Sequence, residues 1–342
     1  MSSSSAPLVL VPSSINIDET FAVPHIVRPG ETISSLDLTS RPGGKGANVS
    51  AALGLSGVET WFAGNVGSDA TWPLDELKKR GVKTDLAGVL EGEKTGRAFI
   101  QIGEGDGENS IVLLKGANFP SSSDVTPDSV SSQLPRPPTH LVLQNEVPLS
   151  TTASFQSHAR KEWQGCVTVW NPSPLPTRDE LRSWKWDELD VLIVNQGEAA
   201  DLIAALSEGE AGGDKEEPEE TMRRLSSIES MRQLPWIVMT LGARGVLASI
   251  NSGGDRILIS QPPHKPKQVR DTTGAGDTFA GYLVSSVAML GGKGLPAERE
   301  VVEKCLRRAG VAAAMAVEIK GAMESIPGEE RVEQRMKEAG AA

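Results

Sequence analysis

Cysteine is almost absent from this sequence: Cys166 and Cys305 are the only two in 342 residues. That excludes a disulfide framework and a thiolate metal cluster, and it suits a reducing compartment. Aromatic residues make up only 4% of the chain. The tryptophans Trp163, Trp170, Trp184 and Trp186 read as packing residues rather than as platforms for a base. The four histidines, His25, His140, His158 and His264, lie scattered without metal-ligand spacing, so none is assigned to catalysis. Basic residues are outnumbered, leaving a net charge of −11 and a pI near 5.0. A nucleic-acid partner is therefore not expected, and an anionic ligand must be drawn in by local devices such as helix N-termini. No apolar stretch approaches the ~20 residues needed to span a bilayer, so no membrane partner is expected. Residues Met1–Pro7 lack a basic n-region. The expectation is a soluble protein of the cytoplasm, with the nucleus left open as a second location.

What is present is a regular alternation. Short apolar runs at Leu8–Val11, Leu141–Leu143, Val167–Trp170, Val191–Val194 and Trp236–Thr240 are each followed by a longer amphipathic or polar stretch. Such runs suit parallel strands covered on both faces. The reading is one α/β domain over residues 1–342, with a mostly parallel central sheet, helices on both faces and a small β lid. The lid is placed at about 19–42 and 95–118: Glu31 to Leu38 reads as extended, and Arg97–Ile102 with Ile111–Leu114 as an antiparallel hairpin around Gly103–Gly107. Residues 207–220 are acidic and nearly devoid of apolar side chains, and read as a solvated surface insertion.

Two segments carry chemistry. In Asp271-Thr-Thr-Gly-Ala-Gly-Asp277, the small residues Gly274, Ala275 and Gly276 let backbone N–H groups converge on a negative oxygen at the start of a helix. Asp277 stands beside them as a candidate base. The same residues also describe an ordinary capped helix. The second segment, Arg41-Pro-Gly-Gly44-Lys45-Gly-Ala-Asn48, opens another helix, read from Val49 to Leu55, with glycines that permit close approach to a ligand.

Together and in this order, the two segments resemble the two signature motifs of the ribokinase-like (PfkB) carbohydrate kinase family. Ser14–Asp18 resembles the family's first strand and sugar-binding turn. Thr95–Ile100 and Ile111–Asn118 resemble its lid strands, with Arg97 placing a charge where an apolar residue is common. Gln144-Asn-Glu146 resembles a sugar-side carboxylate segment, Asn195-Gln-Gly-Glu198 the N-x-x-E element, Thr240–Gly245 the nucleotide-side loop, and Lys320–Ser325 the final loop.

The resemblance implies an ATP-dependent sugar kinase acting on the 5-hydroxyl of D-ribose. Other acceptors of the family (deoxyribose, fructose, a ketodeoxy sugar acid, a nucleoside) and a catalytically silent binding regulator remain open. The lid side chains Ala98, Ile100 and Ile111 offer a base little to stack on. By resemblance Asp277 is the base and Gly274, Ala275 and Gly276 shape the anion hole. Asn16, Asp18, Gly44, Lys45, Asn48 and Glu146, with Asp277, contact the sugar. Asn195, Thr240, Gly242, Arg244, Gly245 and Gly276 contact the nucleotide. Glu198 organises Mg²⁺ through water, and Asp271, Thr273, Lys320 and Ser325 surround an activating K⁺. Lid strands projecting beyond the main sheet leave open edges that a partner would cover, and the family resemblance implies a homodimer through the lid.

Overall fold

A computed structural model describes residues 6–105, 108–207, 216–291 and 294–340. Among the described residues, the central sheet has nine strands. From one edge to the other they are Asp255–Gln261, Val246–Ser252, Trp236–Thr240, Val191–Asn195, Val167–Trp170, His140–Leu143, Leu8–Pro12, Glu59–Ala63 and Val82–Lys83. The pairings from Trp236–Thr240 to Val82–Lys83 are parallel, and those joining the remaining two strands are antiparallel. Each of the five apolar runs named above is thus a strand. The pair Val246–Ser252 and Asp255–Gln261, which was not among those runs, closes one edge.

Alternate residues of each strand feed two cores. Val9, Val11, Val142 and Val238 pack with helices Lys45–Leu55, Ala275–Met289 and Arg299–Ala316. Leu8, Leu10, Leu141 and Ile237 pack on the opposite face with helices Leu149–Glu162 and Gln196–Leu206. Trp163, Trp170, Trp184 and Trp186 are buried in this second core, where Trp170 and Trp184 stack at 4.0 Å.

A separate four-stranded sheet forms the lid, in the order Asp37–Gly43, Asn16–Val23, Gly96–Gly103, Asn109–Leu114. The last two strands pair antiparallel as the sequence implies, and residues 106–107 of the turn between them lie outside the described residues.

Three boundaries differ from expectation. Glu31 to Leu36 is not a strand: Pro24 follows the end of strand Asn16–Val23, and the Glu31 carboxylate instead accepts from His25 and from the Arg28 amide, making a turn. Pairing resumes only where the Leu36 amide donates to the Ala22 carbonyl. The lid begins earlier, at Asn16, so Asn16 and Asp18 belong to a strand rather than a turn and share one of its faces. The helix read from Val49 begins at Lys45. Of the acidic insertion, 208–215 lies outside the described residues, while Pro218 starts a helix and Glu216 pairs with Arg224.

Candidate active site

The parallel strands end along a common edge, where open α/β sheets bind ligands. The connection after Leu8–Pro12 supplies Ser14, the one after His140–Leu143 supplies Glu146, and the helix Lys45–Leu55 begins above both. Ser14 Oγ donates to Glu146 Oε2 at 2.7 Å, and the Lys45 amide donates to the same oxygen at 2.9 Å. Glu146 therefore ties two strand ends to the helix start. Gly44 precedes the helix with a φ of 88°, which an L side chain rarely adopts.

Because the helix starts at Lys45, Lys45 and Asn48 stand three residues apart on one face. Both turn toward helix Ala275–Met289. Asn48 Nδ2 donates to Asp277 Oδ2 at 2.9 Å, joining residues 229 positions apart. Asn48 Oδ1 is buried with no hydrogen-bond partner among the described residues. Asp277 is 9% exposed, in the first turn of its helix. Burial pushes its carboxyl above the usual carboxylate range; the Lys45 charge and the Asn48 amide pull against that shift, and Glu146 and Glu198 reinforce it. Lys45 is held above its ordinary value chiefly by Asp277. At the start of helix Ala275–Met289 the two glycines differ in their surroundings. A Cβ on Gly276 would meet nothing within 4 Å, so the surface there is open, whereas one on Gly274 would lie 2.8 Å from the Ala322 backbone.

Asp18 faces the same space. A Cβ on Gly43 would sit 2.2 Å from Asp18 Oδ2, so the carboxylate occupies the room that glycine leaves. Burial, then the charges of Glu146, Glu324 and Asp277, push the Asp18 carboxyl up to about 7. Asn16 Oδ1 accepts from Asn118 Nδ2 at 2.7 Å, and Asn118 also clasps the Ile15 amide and carbonyl.

At the end of strand Val191–Asn195, Asn195 and Glu198 form a reciprocal capping box: Asn195 Oδ1 accepts from the Glu198 amide at 2.8 Å, and Glu198 Oε2 from the Asn195 amide at 2.9 Å. Thr240 ends its strand, Gly242–Arg244 forms a single turn, and Gly245 follows. The Arg244 guanidinium donates to the Gln196 side-chain oxygen, which joins this loop to the helix that Asn195 caps.

Asp271 binds two loops together, its Oδ1 accepting from the Thr273 amide and its Oδ2 from the Gly321 amide, each at 2.9 Å. Burial opposes its ionisation, but these amides and the Arg41 charge outweigh it and hold the carboxyl below its ordinary range. Ser325 is buried, its hydroxyl donating to the Ala322 carbonyl at 2.9 Å. The Lys320 carbonyl is turned to the Arg41 guanidinium at 3.1 Å.

The structure thus gathers Asn16, Asp18, Lys45, Asn48, Glu146 and Asp277 around one space. Thr240, Gly242, Arg244 and Gly245 form a neighbouring cluster, and Asp271, Thr273, Lys320 and Ser325 a third group beside the turn at Gly274. Sequence reasoning missed Ser14, Arg41, Asn118 and Glu324 as site residues. All four lay within the quoted segments Ser14–Asp18, Arg41–Asn48, Ile111–Asn118 and Lys320–Ser325, but nothing in those segments assigned them a role. Arg97 also finds its reason, bridging Glu19 within the lid and Asp69 beneath it at 2.8 Å each.

This site, on this fold, has the organisation of a sugar kinase. The pfkB family carbohydrate kinase profile matches residues 6–329, and the chain belongs to that family. Among its relatives, the ribokinase of Haemophilus influenzae is 32% identical, with 92% of this chain and 93% of the relative covered. That of Arabidopsis thaliana is 30% identical, with 97% and 82% covered. The crystal structure of Cryptococcus neoformans var. grubii ribokinase in complex with ADP superposes with a TM-score of 0.81 at 38% identity, covering 96% of this chain and all of the other. The Arabidopsis ribokinase structure with ribose and ATP gives 0.78 at 28% identity, covering 96% and 98%. Among the described residues, no helix is long and apolar enough to cross a membrane.

Proposed function

We propose that the protein is an ATP-dependent ribokinase, transferring the γ-phosphoryl group of ATP to the 5-hydroxyl of D-ribose. The observation that carries this reading is the buried Asp277 carboxylate, held by Asn48 at 2.9 Å in the first turn of a helix whose glycine-bearing N-terminus is open. Asp277 accepts the hydroxyl proton as the sugar oxygen bonds to phosphorus, the bond to the β-phosphate oxygen breaks and ADP leaves. The amides of Gly274, Ala275, Gly276 and Asp277 stabilise the charge on the moving phosphoryl group. A carboxyl pushed above its usual range is a better base for this step.

Asn16, Asp18, Gly44, Lys45, Asn48 and Glu146 form the acceptor cage. The unpartnered Asn48 Oδ1 supplies an acceptor that a sugar hydroxyl can satisfy. Asn195, Thr240, Gly242, Arg244, Gly245 and Gly276 line the nucleotide side. Among the described residues, no three His, Cys, Asp or Glu side chains gather to hold a metal. Mg²⁺, which prefers phosphate oxygens and keeps its waters, fits a site where Glu198 organises it through water; when bound it neutralises phosphate charge. The Asp271 carboxylate, the Ser325 hydroxyl and the backbone at Thr273 and Lys320 offer the hard oxygen donors that K⁺ accepts.

The lid supports a homodimer. Val112 and Leu113 are each 64% exposed, and Leu36, Leu38, Ile102 and Ile111 are exposed as well. An apolar strand beside an open edge invites cover by a second copy. The single chain over 1–342 is read as one catalytic domain. The test is a panel of ribose, 2-deoxyribose, fructose and adenosine assayed for ADP release, with ribose expected to give the highest kcat/KM. A higher value for another acceptor would leave only the wider kinase reading.

A further inference from the structure

Arg41 stands opposite Asp18 in the antiparallel register of the lid, so the two side chains emerge on one face of that sheet. The guanidinium nevertheless reaches out of the lid. Its Nη1 donates to the carbonyl of Lys320 at 3.1 Å, across 279 residues of sequence. Gly321 follows with a φ of 95°, and a Cβ there would lie 2.3 Å from Arg41 Nη1 and 2.7 Å from Glu324 Oε2. Backbone conformation and the guanidinium together exclude a side chain at 321. The amide of Gly321 donates to Asp271 Oδ2 at 2.9 Å. The Lys320 carbonyl and the Gly321 amide are opposite edges of one planar peptide unit. That unit is gripped by the lid on one edge and by Asp271 on the other. Asp271 in turn holds the Thr273 amide, next to the turn that opens the anion hole.

We propose that Arg41 is a positioning residue that couples closure of the lid over the sugar to the arrangement of the Asp271 and Lys320–Ser325 loops. The inference rests on the sugar-kinase reading and its K⁺ site. A lid that moves relative to the body pulls on the peptide through Arg41, and a cation that orders the loops fixes the same peptide. Acceptor and cation binding then favour each other by the same factor.

The experiment is calorimetric titration of D-ribose into the full-length protein, in KCl and in tetramethylammonium chloride at equal ionic strength. The native protein is expected to bind ribose at least about fivefold more tightly in KCl, at the lower end of common coupling factors. In Arg41→Ala the ratio should fall to about one, with the weaker native value in both salts. Arg41→Lys, which keeps the charge but loses the fork, should lie between. Should the alanine variant misfold, Arg41→Met retains the apolar stem and reads the same ratio. A variant that keeps the native ratio overturns the coupling, and so does a native protein whose ribose affinity ignores the salt. In the latter case, turnover in the two salts separates the readings: faster turnover in KCl leaves the cation site standing, and equal turnover removes both.

Discussion

Asp18 should weaken the ligand-free protein while serving its acceptor, and Asp18→Asn exposes the trade. Its carboxyl is pushed from an ordinary 3.8 to about 7 by burial and by Glu146, Glu324 and Asp277. A raised carboxyl pKa means that the native state holds the proton more tightly than the unfolded chain. Below 3.8 both states are protonated and no penalty exists; it grows as pH rises toward about 7 and is complete above that value. Three pH units correspond to a ceiling of about 4 kcal/mol. Asp18 is only half-buried at the mouth of the site, and solvent screening should reduce this to about 1–2 kcal/mol. Asp18→Asn keeps the shape and removes the charge. By differential scanning calorimetry without sugar, the variant should melt roughly 2–4 °C above the native protein at pH 8, and the gap should close near pH 4. Ribose should raise the Tm of the native protein and barely that of the variant, because the side chain that would hold the hydroxyl is changed. A variant equally or less stable at pH 8, or a gap that ignores pH, would refute the argument.

Asp277→Asn should lower kcat by at least ~100-fold while nucleotide affinity, read by equilibrium binding, persists. Lys45→Met removes the largest opposing charge beside Asp277, so the acid limb of kcat should move to higher pH; an unmoved or lowered limb in a pH–rate profile counts against their coupling. Gly43→Ala places a methyl where the Asp18 carboxylate sits, 2.2 Å away. That carboxylate can swing aside, so the ribose KM should rise roughly tenfold with a stability loss below about 1 kcal/mol. Val112→Glu on the exposed lid strand should convert the proposed dimer to monomer by light scattering, and a native protein already monomeric at micromolar concentration removes the lid interface.

Much of the architecture was legible because its signals are local. A parallel strand buried on both faces must be a short apolar run, so Val191–Val194 and Trp236–Thr240 could be read directly. Strand Asp255–Gln261 has one open side and a mixed sequence, which leaves no such mark. The start of helix Ala275–Met289 was legible because Gly274, with a φ of 75° and the Ala322 backbone 2.8 Å from where a Cβ would lie, admits no side chain. Glu31 to Leu36 was misread because extended propensity cannot show that His25 and the Arg28 amide will capture Glu31 and bend the chain. The roles of Arg41 and Glu324, both inside quoted segments, were missed for a different reason. Each takes its role from a partner brought near by the fold: Arg41 from the Lys320 carbonyl, and Glu324 from Asp18, whose carboxyl its charge helps to push up.

The hydrogen bond between Asn48 and Asp277 also has a temporal meaning. The strand Leu8–Pro12 lies inside the nine-stranded sheet, between His140–Leu143 and Glu59–Ala63, and helix Ala275–Met289 packs on helix Lys45–Leu55 so closely that a Cβ on Gly281 would lie 2.5 Å from Ala52 Cβ. During synthesis the early segments must therefore wait, their apolar faces uncovered, until the chain has grown past residue 289. Contacts of such long sequence separation form slowly and leave partly built states exposed to association. In refolding from denaturant, helical content should return before catalytic competence, since the Asn48–Asp277 contact joins residues 229 positions apart.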